Sequence, residues 1–237
     1  SAAHYTRSAV FFDGIVSTKG FMSLDIKYDN DPLNGEIVVD LEDPFDIIED
    51  PNNKSYDLNR GKYIIKSYWG DKEEIALLYP KLKDEIDGVK YDDLDSRDRE
   101  RLPGSDKSPT RFKARLRETW WKTYENATFL IDVMQHDFKR VDKSNLDLLK
   151  AILEKDKRMA EMEKRAPRFV VRENIIPILN CTTTLGDIEL EHVERPYGEM
   201  DKFPIIRFVP YFSRGNCLGV VDNLIDPQKE KNKRRSQ

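Results

Sequence analysis

The sequence predicts an α+β fold of antiparallel β-hairpins and a sheet with several helices, elongated and in two sub-regions. Three observations predict it. Runs of alternating apolar and polar residues, bounded by Gly, Pro, Asn and Asp, recur as short strands. Other stretches carry apolar residues at helical spacing. Charged residues make up 35% of the chain and hydrophobic ones 38%, so the surface is heavily charged and the core modest. That balance fits an elongated or multi-part chain better than a compact enzyme.

Tyr5–Thr18 is expected as a helix, with Val10, Phe11, Ile15 and Val16 as its apolar stripe and Gly20 as its stop. Phe21–Tyr28 alternates Met22, Leu24, Ile26 and Tyr28 on one side, and Glu36–Leu41 faces it across a turn-rich segment as a hairpin. The acidic loop between them does not fit an EF-hand, because Leu33 and Asn34 fall where a ligand and a Gly are needed. The Asp43-Pro44 and Asp50-Pro51 steps break regular structure. Lys62–Trp69 is the next strand. One helix follows over Asp71–Ile86, opened by an Asp71/Glu74 capping box, with Ile75, Leu78, Leu82 and Ile86 on its apolar face. Asp87–Thr110, containing Asp92-Asp93 and Pro103-Gly104, is expected as a long solvated loop.

Arg111–Trp121 alternates strongly. Phe112, Ala114, Leu116 and Trp120 share one face, interrupted by Glu118, and Arg111, Lys113, Arg115 and Arg117 share the other. Such a basic row suits either phosphate contact or the solvent face of a one-sided sheet, and we favour the second. Thr128–Met134 is expected as the neighbouring strand, after a turn near Glu125-Asn126. A helix over Lys143–Arg165 carries Leu146, Leu149, Ile152 and Leu153. It then becomes almost wholly charged, with Met159 and Met162 as soft contacts, before Pro167 ends it. Phe169–Leu179 reads as a strand, and Cys181–Val193 as a hairpin turning at Leu185-Gly186-Asp187. Phe203–Phe212 reads as a strand whose prolines mark it as an edge or terminating one.

The 237 residues suffice for one large domain or two small ones, and the net charge of −4 excludes a uniformly basic nucleic-acid coat. Cys181 and Cys217 lie in unlike contexts without CxxC spacing, which supports neither a disulfide framework nor a zinc site and leaves a reducing, intracellular setting as the default. No signal peptide is visible, and no apolar run approaches the ~20 residues of a membrane span. His4, His136 and His192 fall in separate elements, and no phosphate-binding glycine loop, HExxH or nucleophile elbow occurs. Trp120-Trp121 could stack on bases, yet adjacent strand residues point to opposite faces, so core or subunit contact is the better reading. No catalytic, cofactor or metal residues are assigned.

The concentrated chemical signal is the last stretch, Gly219–Gln237. Asp226 reads as an N-cap and Pro227 as the first helical residue. Gln228, Asn232 and Ser236 then stack on one face, and Lys229, Lys231, Lys233, Arg234 and Arg235 occupy the rest. The cations suit proximity to nucleic acid or an acidic partner. They also suit an ordinary helix end, favoured by the helix dipole and a Glu230–Arg234 pair, and taken alone they favour this slightly. The uncharged polar row suits a helix–helix contact whose hydrogen bonds set register. No residue ends the helix, so the sequence is expected to be part of a longer chain.

The segment from Gly219-Val220-Val221-Asp222 through Asp226-Pro227-Gln228 to Asn232 and Ser236 resembles the corresponding stretch of portal proteins of short-tailed bacteriophages. Other pieces fall in the matching order: Phe21–Glu36 with Asp43-Pro44, then Lys62–Trp69 with the helix from Asp71, then Arg115–Trp121 with its Glu-Thr-Trp-Trp. The resemblance covers most of the chain and rests on this ordered combination. It implies a structural subunit without catalysis or cofactor, in a ring, usually dodecameric, at one capsid vertex. Double-stranded DNA would pass through the channel during packaging and ejection, with terminase, tail or adaptor proteins and capsid protein as partners. The location would be the virion, and the host cytoplasm before assembly, with no membrane. It further implies a wing-like α/β region over 1–134, a stem-like helix over 135–168, a clip-like β-rich region over 169–212 and the start of a returning stem helix over 213–237. The family's channel helix and crown are not in the sequence, which makes it a central fragment on this reading. Lys229, Lys231, Lys233, Arg234 and Arg235 would lie near DNA, and Gln228, Asn232 and Ser236 would pack against a helix or subunit. Two other classes stay open on the residues alone. One is a metal-dependent phage nuclease or hydrolase built on converging carboxylates. The other is a stand-alone nucleic-acid-binding module using Arg111, Lys113, Arg115, Arg117 and Trp121.

Overall fold

A computed structural model describes residues 2–28, 33–89, 113–141, 145–164 and 166–236. Most of the expected 87–110 loop, with Asp92-Asp93 and Pro103-Gly104, lies outside them, as do Arg111, Phe112, Lys143, Arg165 and the acidic centre of the first hairpin loop.

The chain opens with α1 (Ala2–Ser17). Thr18, at φ +73°, ends it in a left-handed conformation, so Thr18 is the stop in place of Gly20. Gly20 serves a different need: a Cβ there would run into the Val10 carbonyl oxygen. The expected hairpin forms from β1 (Gly20–Lys27) and β2 (Glu36–Glu42), registered Phe21↔Glu42 to Lys27↔Glu36. Between the two Asp-Pro steps lies β3 (Ile47–Glu49), too short for a sequence pattern to reveal. β4 (Tyr63–Asp71) follows. The expected single helix after it is divided into α2 (Lys72–Leu78) and α3 (Lys83–Gly88) by a 3-10 turn at Pro80–Leu82. Pro80 has no N–H to continue the ladder, which outweighs the apolar spacing. Asp71 makes no side-chain cap hydrogen bond, so the expected capping box is absent. On the expected apolar face Ile75 and Ile86 are buried, and Leu78 is exposed.

β5 runs unbroken over Lys113–Asp132, and the turn expected near Glu125-Asn126 does not exist. The hairpin instead turns at 133–136 into β6 (Asp137–Val141), registered Thr128↔Val141 to Asp132↔Asp137. Turn propensity at Glu125-Asn126 yields to pairing: Glu125 holds Arg140 of β6 at 3.1 Å, and Ala127 is buried. α4 (Leu146–Glu163) ends at Lys164, a left-handed residue (φ +52°) three positions before Pro167. β7 (Phe169–Leu185) joins what the sequence suggests as two strands, and β8 (Ile188–Glu194) returns from it at the expected Gly186-Asp187 turn. β9 (Ile205–Phe208) lies between Pro204 and Pro210 as an edge strand. β10 (Tyr211–Ser213) and β11 (Asn216–Leu218) form a tight hairpin through Arg214 and Gly215, both at positive φ, and α5 (Asp222–Arg235) follows.

The chain forms two compact units, one of Ser1–Trp121 with Leu179–Gln237 and one of Lys122–Ile178. In the first, β2-β1-β9 form a three-stranded sheet. The register Phe21↔Arg207 and Ser23↔Ile205 places these four buried residues on one face. Phe208 is on the other, where its ring meets Phe11 of α1. The alternation in β1 is as expected, but the deeper face is Phe21 and Ser23 rather than Met22 and Leu24. Phe21 and Ile205 join Ile47, Ile64, Trp120, Leu179 and Phe203 in the main core. A second cluster gathers Ile75, Ile86, Leu116, Leu185 and Leu190. In the second unit, α4 is tied to the start of β7. Buried Asp156 accepts the N–H groups of Arg168 (2.6 Å) and Phe169 (3.0 Å), and Arg168 donates Nε and Nη2 to Asp132 at 2.9 and 2.6 Å. These bonds hold the Asp132 carboxyl below the usual carboxylate range. The whole is an α+β fold of antiparallel sheets and helices.

Candidate nucleic-acid and packing surface

α5 begins at Asp222 instead of Asp226, and Pro227 lies inside it. The Asp222 carboxylate accepts the Gly219 N–H at 2.8 Å, which steadies the turn into the helix. Pro227 lacks the N–H that would meet the Asn223 carbonyl, a loss that a helix exposed along its described length tolerates because the acceptor is open to solvent. The polar row forms as the spacing predicts: Gln228 Nε2 donates to Asn232 Oδ1 at 3.1 Å, and Ser236 Oγ donates to the Asn232 carbonyl at 3.1 Å. Two of the five cations are engaged along the helix, Lys229 with Asp226 at 3.7 Å and Arg234 with Glu230. Lys231, Lys233 and Arg235 have no ion-pair partner among the described residues and lie in solvent. Leu224 and Ile225 at the helix start are exposed as well.

The basic row on β5 is less available. Arg115 reaches Asp46 at 3.1 Å, with both side chains mostly buried, and Arg117 is exposed. The two tryptophans point to opposite faces as expected. Trp120 is buried and stacks on Tyr197 at 5.7 Å. Trp121 donates Nε1 to Thr182 Oγ1 at 3.2 Å, with the His192 ring 6.0 Å away. Neither ring is a free platform for a base. The three histidines stay apart, on α1, in the 133–136 turn and on β8. Both cysteines are free thiols, and burial pushes Cys181 up to about 12.

Sequence reasoning passed over a polar cavity in the first unit. It has a volume of about 190 Å³ and is lined in part by Asp25, Lys66, Glu118, Trp120, Cys181 and Tyr197. Glu118, noted only as an interruption of the apolar face, sits directly across from Lys66 in the β4–β5 register. Burial raises its carboxyl above the usual range, against the pull of Lys66. A charged residue in a core position was the available signal. Among the described residues no group of three or more His, Cys, Asp or Glu side chains could hold a metal ion. No described helix is long and apolar enough to cross a membrane.

The first unit thus carries an exposed helix with a polar row and a solvated positive flank, together with a small polar cavity around Glu118. The family model for phage P22-like portal proteins matches residues 1–237. The chain belongs to this family. Comparison with curated proteins gives no match. A P22-like portal protein has a structural role in the phage, and the exposed seam of α5 belongs to a protein of that kind.

Proposed function

We propose that the chain is a subunit of a portal ring at one vertex of the phage capsid, a conduit for double-stranded DNA in packaging and ejection. The observation that carries the reading is the family match over residues 1–237. On this reading terminase, tail or adaptor proteins and capsid protein meet the ring, and the subunit passes through the host cytoplasm before assembly. Residues 1–134 serve as the wing, 135–168 as a stem helix, 169–212 as the clip and 213–237 as the start of a returning stem helix.

The helices support it. α5 is exposed along its described length, and α4 turns outward Leu148, Ile152, Met159 and Met162, as helices do that meet neighbours. Gln228, Asn232 and Ser236 form the packing seam, and Lys229, Lys231, Lys233, Arg234 and Arg235 lie near the DNA. Two of those five cations, Lys229 and Arg234, are already paired within the helix, which suits a polymer that must slide, because phosphate neutralisation holds DNA in place. Immunogold labelling of intact virions tests the proposal. Label at a single vertex is expected, and label spread over the capsid or along the tail would contradict it.

A further inference from the structure

Among the described residues, the sheet of the second unit has two unpaired edges. β6 pairs with β5, and among the described residues no strand lies along its other side. On the opposite side of β5 lies β7. Its second neighbour, β8, registers only from Asn180 onward, so among the described residues Phe169–Ile178 has β5 alone beside it. An open strand edge presents a row of unused N–H and C=O groups, and proteins usually blunt it with a proline or a bulge. Neither occurs from Phe169 to Ile176: Pro177 comes after it, and the register shift of β7 lies at Thr183/Thr184. Apolar side chains gather at the same edges, with Phe138 67%, Val170 42% and Ile175 66% exposed. Lys139 on β6 and Glu173 on β7 are exposed and opposite in charge.

The two edges also run in matching directions. β6 is antiparallel to β5. Trp121 bonds to Thr182, and Val133 N–H donates to the Arg168 carbonyl at 2.9 Å, so β7 is antiparallel to β5 as well. β6 and β7 therefore point the same way. A second copy rotated about an axis near the strand direction would lay its β6 beside β7 of the first, as a parallel pair, and leave its own β7 open to a third. Such a contact is heterologous and repeats until a ring closes, whereas β7 against β7 would stop at a dimer. We propose that β6 of one protomer pairs with the Phe169–Ile176 edge of the next, joining the copies by backbone hydrogen bonds. The partner is a second copy of this chain, and the inference rests on the ring-forming reading above.

Amide hydrogen exchange of the complete gene product, dilute and concentrated, separates the outcomes. The expected result is exchange about tenfold slower or more in both 137–141 and 170–176 when the protein is assembled. An assembled ring in which both segments exchange as fast as in the monomer would overturn edge pairing and leave the portal reading standing. Protection of 170–176 alone, in a dimer, would also overturn it. Absence of any assembly would defeat both.

Discussion

Arg207 holds three parts of the first unit together from a buried position. Its Nη1 donates to Glu49 at 2.8 Å, and its Nη2 to the carbonyls of Ser55 and Tyr56 at 3.0 and 2.7 Å. The guanidinium also lies against the rings of Tyr56 and Phe212, 5.7 and 5.6 Å from their centroids. Arg207→Ala would leave Glu49 with Lys19 as its remaining cation and two carbonyls facing a void, so a loss of about 2–4 kcal/mol is expected in urea denaturation. Arg207→Lys should recover only part of it, because an ammonium cannot fork between these acceptors or stack between two rings. Glu118 makes the opposite case. Its folded carboxyl titrates above its ordinary value, so the fold favours the protonated form and this group's penalty fades as pH falls through that raised value. Glu118→Gln is therefore expected to raise stability at pH 8, and the gain is expected to shrink as the pH falls through that raised value. A loss at pH 8 would mean that attraction to Lys66 outweighs burial. Both residues sit on strands with clear alternation, yet sequence alone singled out neither role. Arg207 depends on residues some 150 positions away, and the partners of Glu118 come from four separate strands and loops.

At the level of elements, the sequence was most legible where local pattern and tertiary need agree. The β1–β2 hairpin, β4, the Gly186-Asp187 turn and the edge position of β9 all follow from alternation and turn residues. It was least legible where long-range pairing overrides a local cue. Glu125-Asn126 has turn composition, but the strand runs through it, with Glu125 paired to Arg140 of β6. Pro80 acts the other way and cuts a periodic run that reads as one helix. In α5 the polar row was visible, whereas the start was misplaced by the strength of Asp226-Pro227 as a start signal. That row gives a prediction at this scale. Replacing Gln228, Asn232 and Ser236 together by Ala removes only exposed hydrogen bonds, so subunit stability should change by no more than about 0.5 kcal/mol per site. If the row is a packing seam, the same variant should shift the assembly equilibrium toward monomer in sedimentation. Unchanged assembly would remove the seam from the account.

For the molecule as a whole, charge and assembly belong together. On the portal reading, a net charge of −4 would keep most of the surface from gripping DNA, while Lys229, Lys231, Lys233, Arg234 and Arg235 leave a local positive flank on one exposed helix. On the proposed portal reading, function resides in a repeat of the subunit rather than in a pocket, and the three histidines, which stay apart on α1, in the 133–136 turn and on β8, need serve no common site. A nuclease reading predicts that magnesium or manganese stabilises the protein or promotes DNA cleavage. The portal reading predicts that neither ion shifts the melting temperature and that DNA remains intact after incubation. The measurement that bears most directly on the central claim is electron microscopy of the complete gene product. Closed rings with a central channel wide enough for duplex DNA are expected. Monomers, filaments or particles without a channel, under conditions where the protein is folded and concentrated, would contradict it.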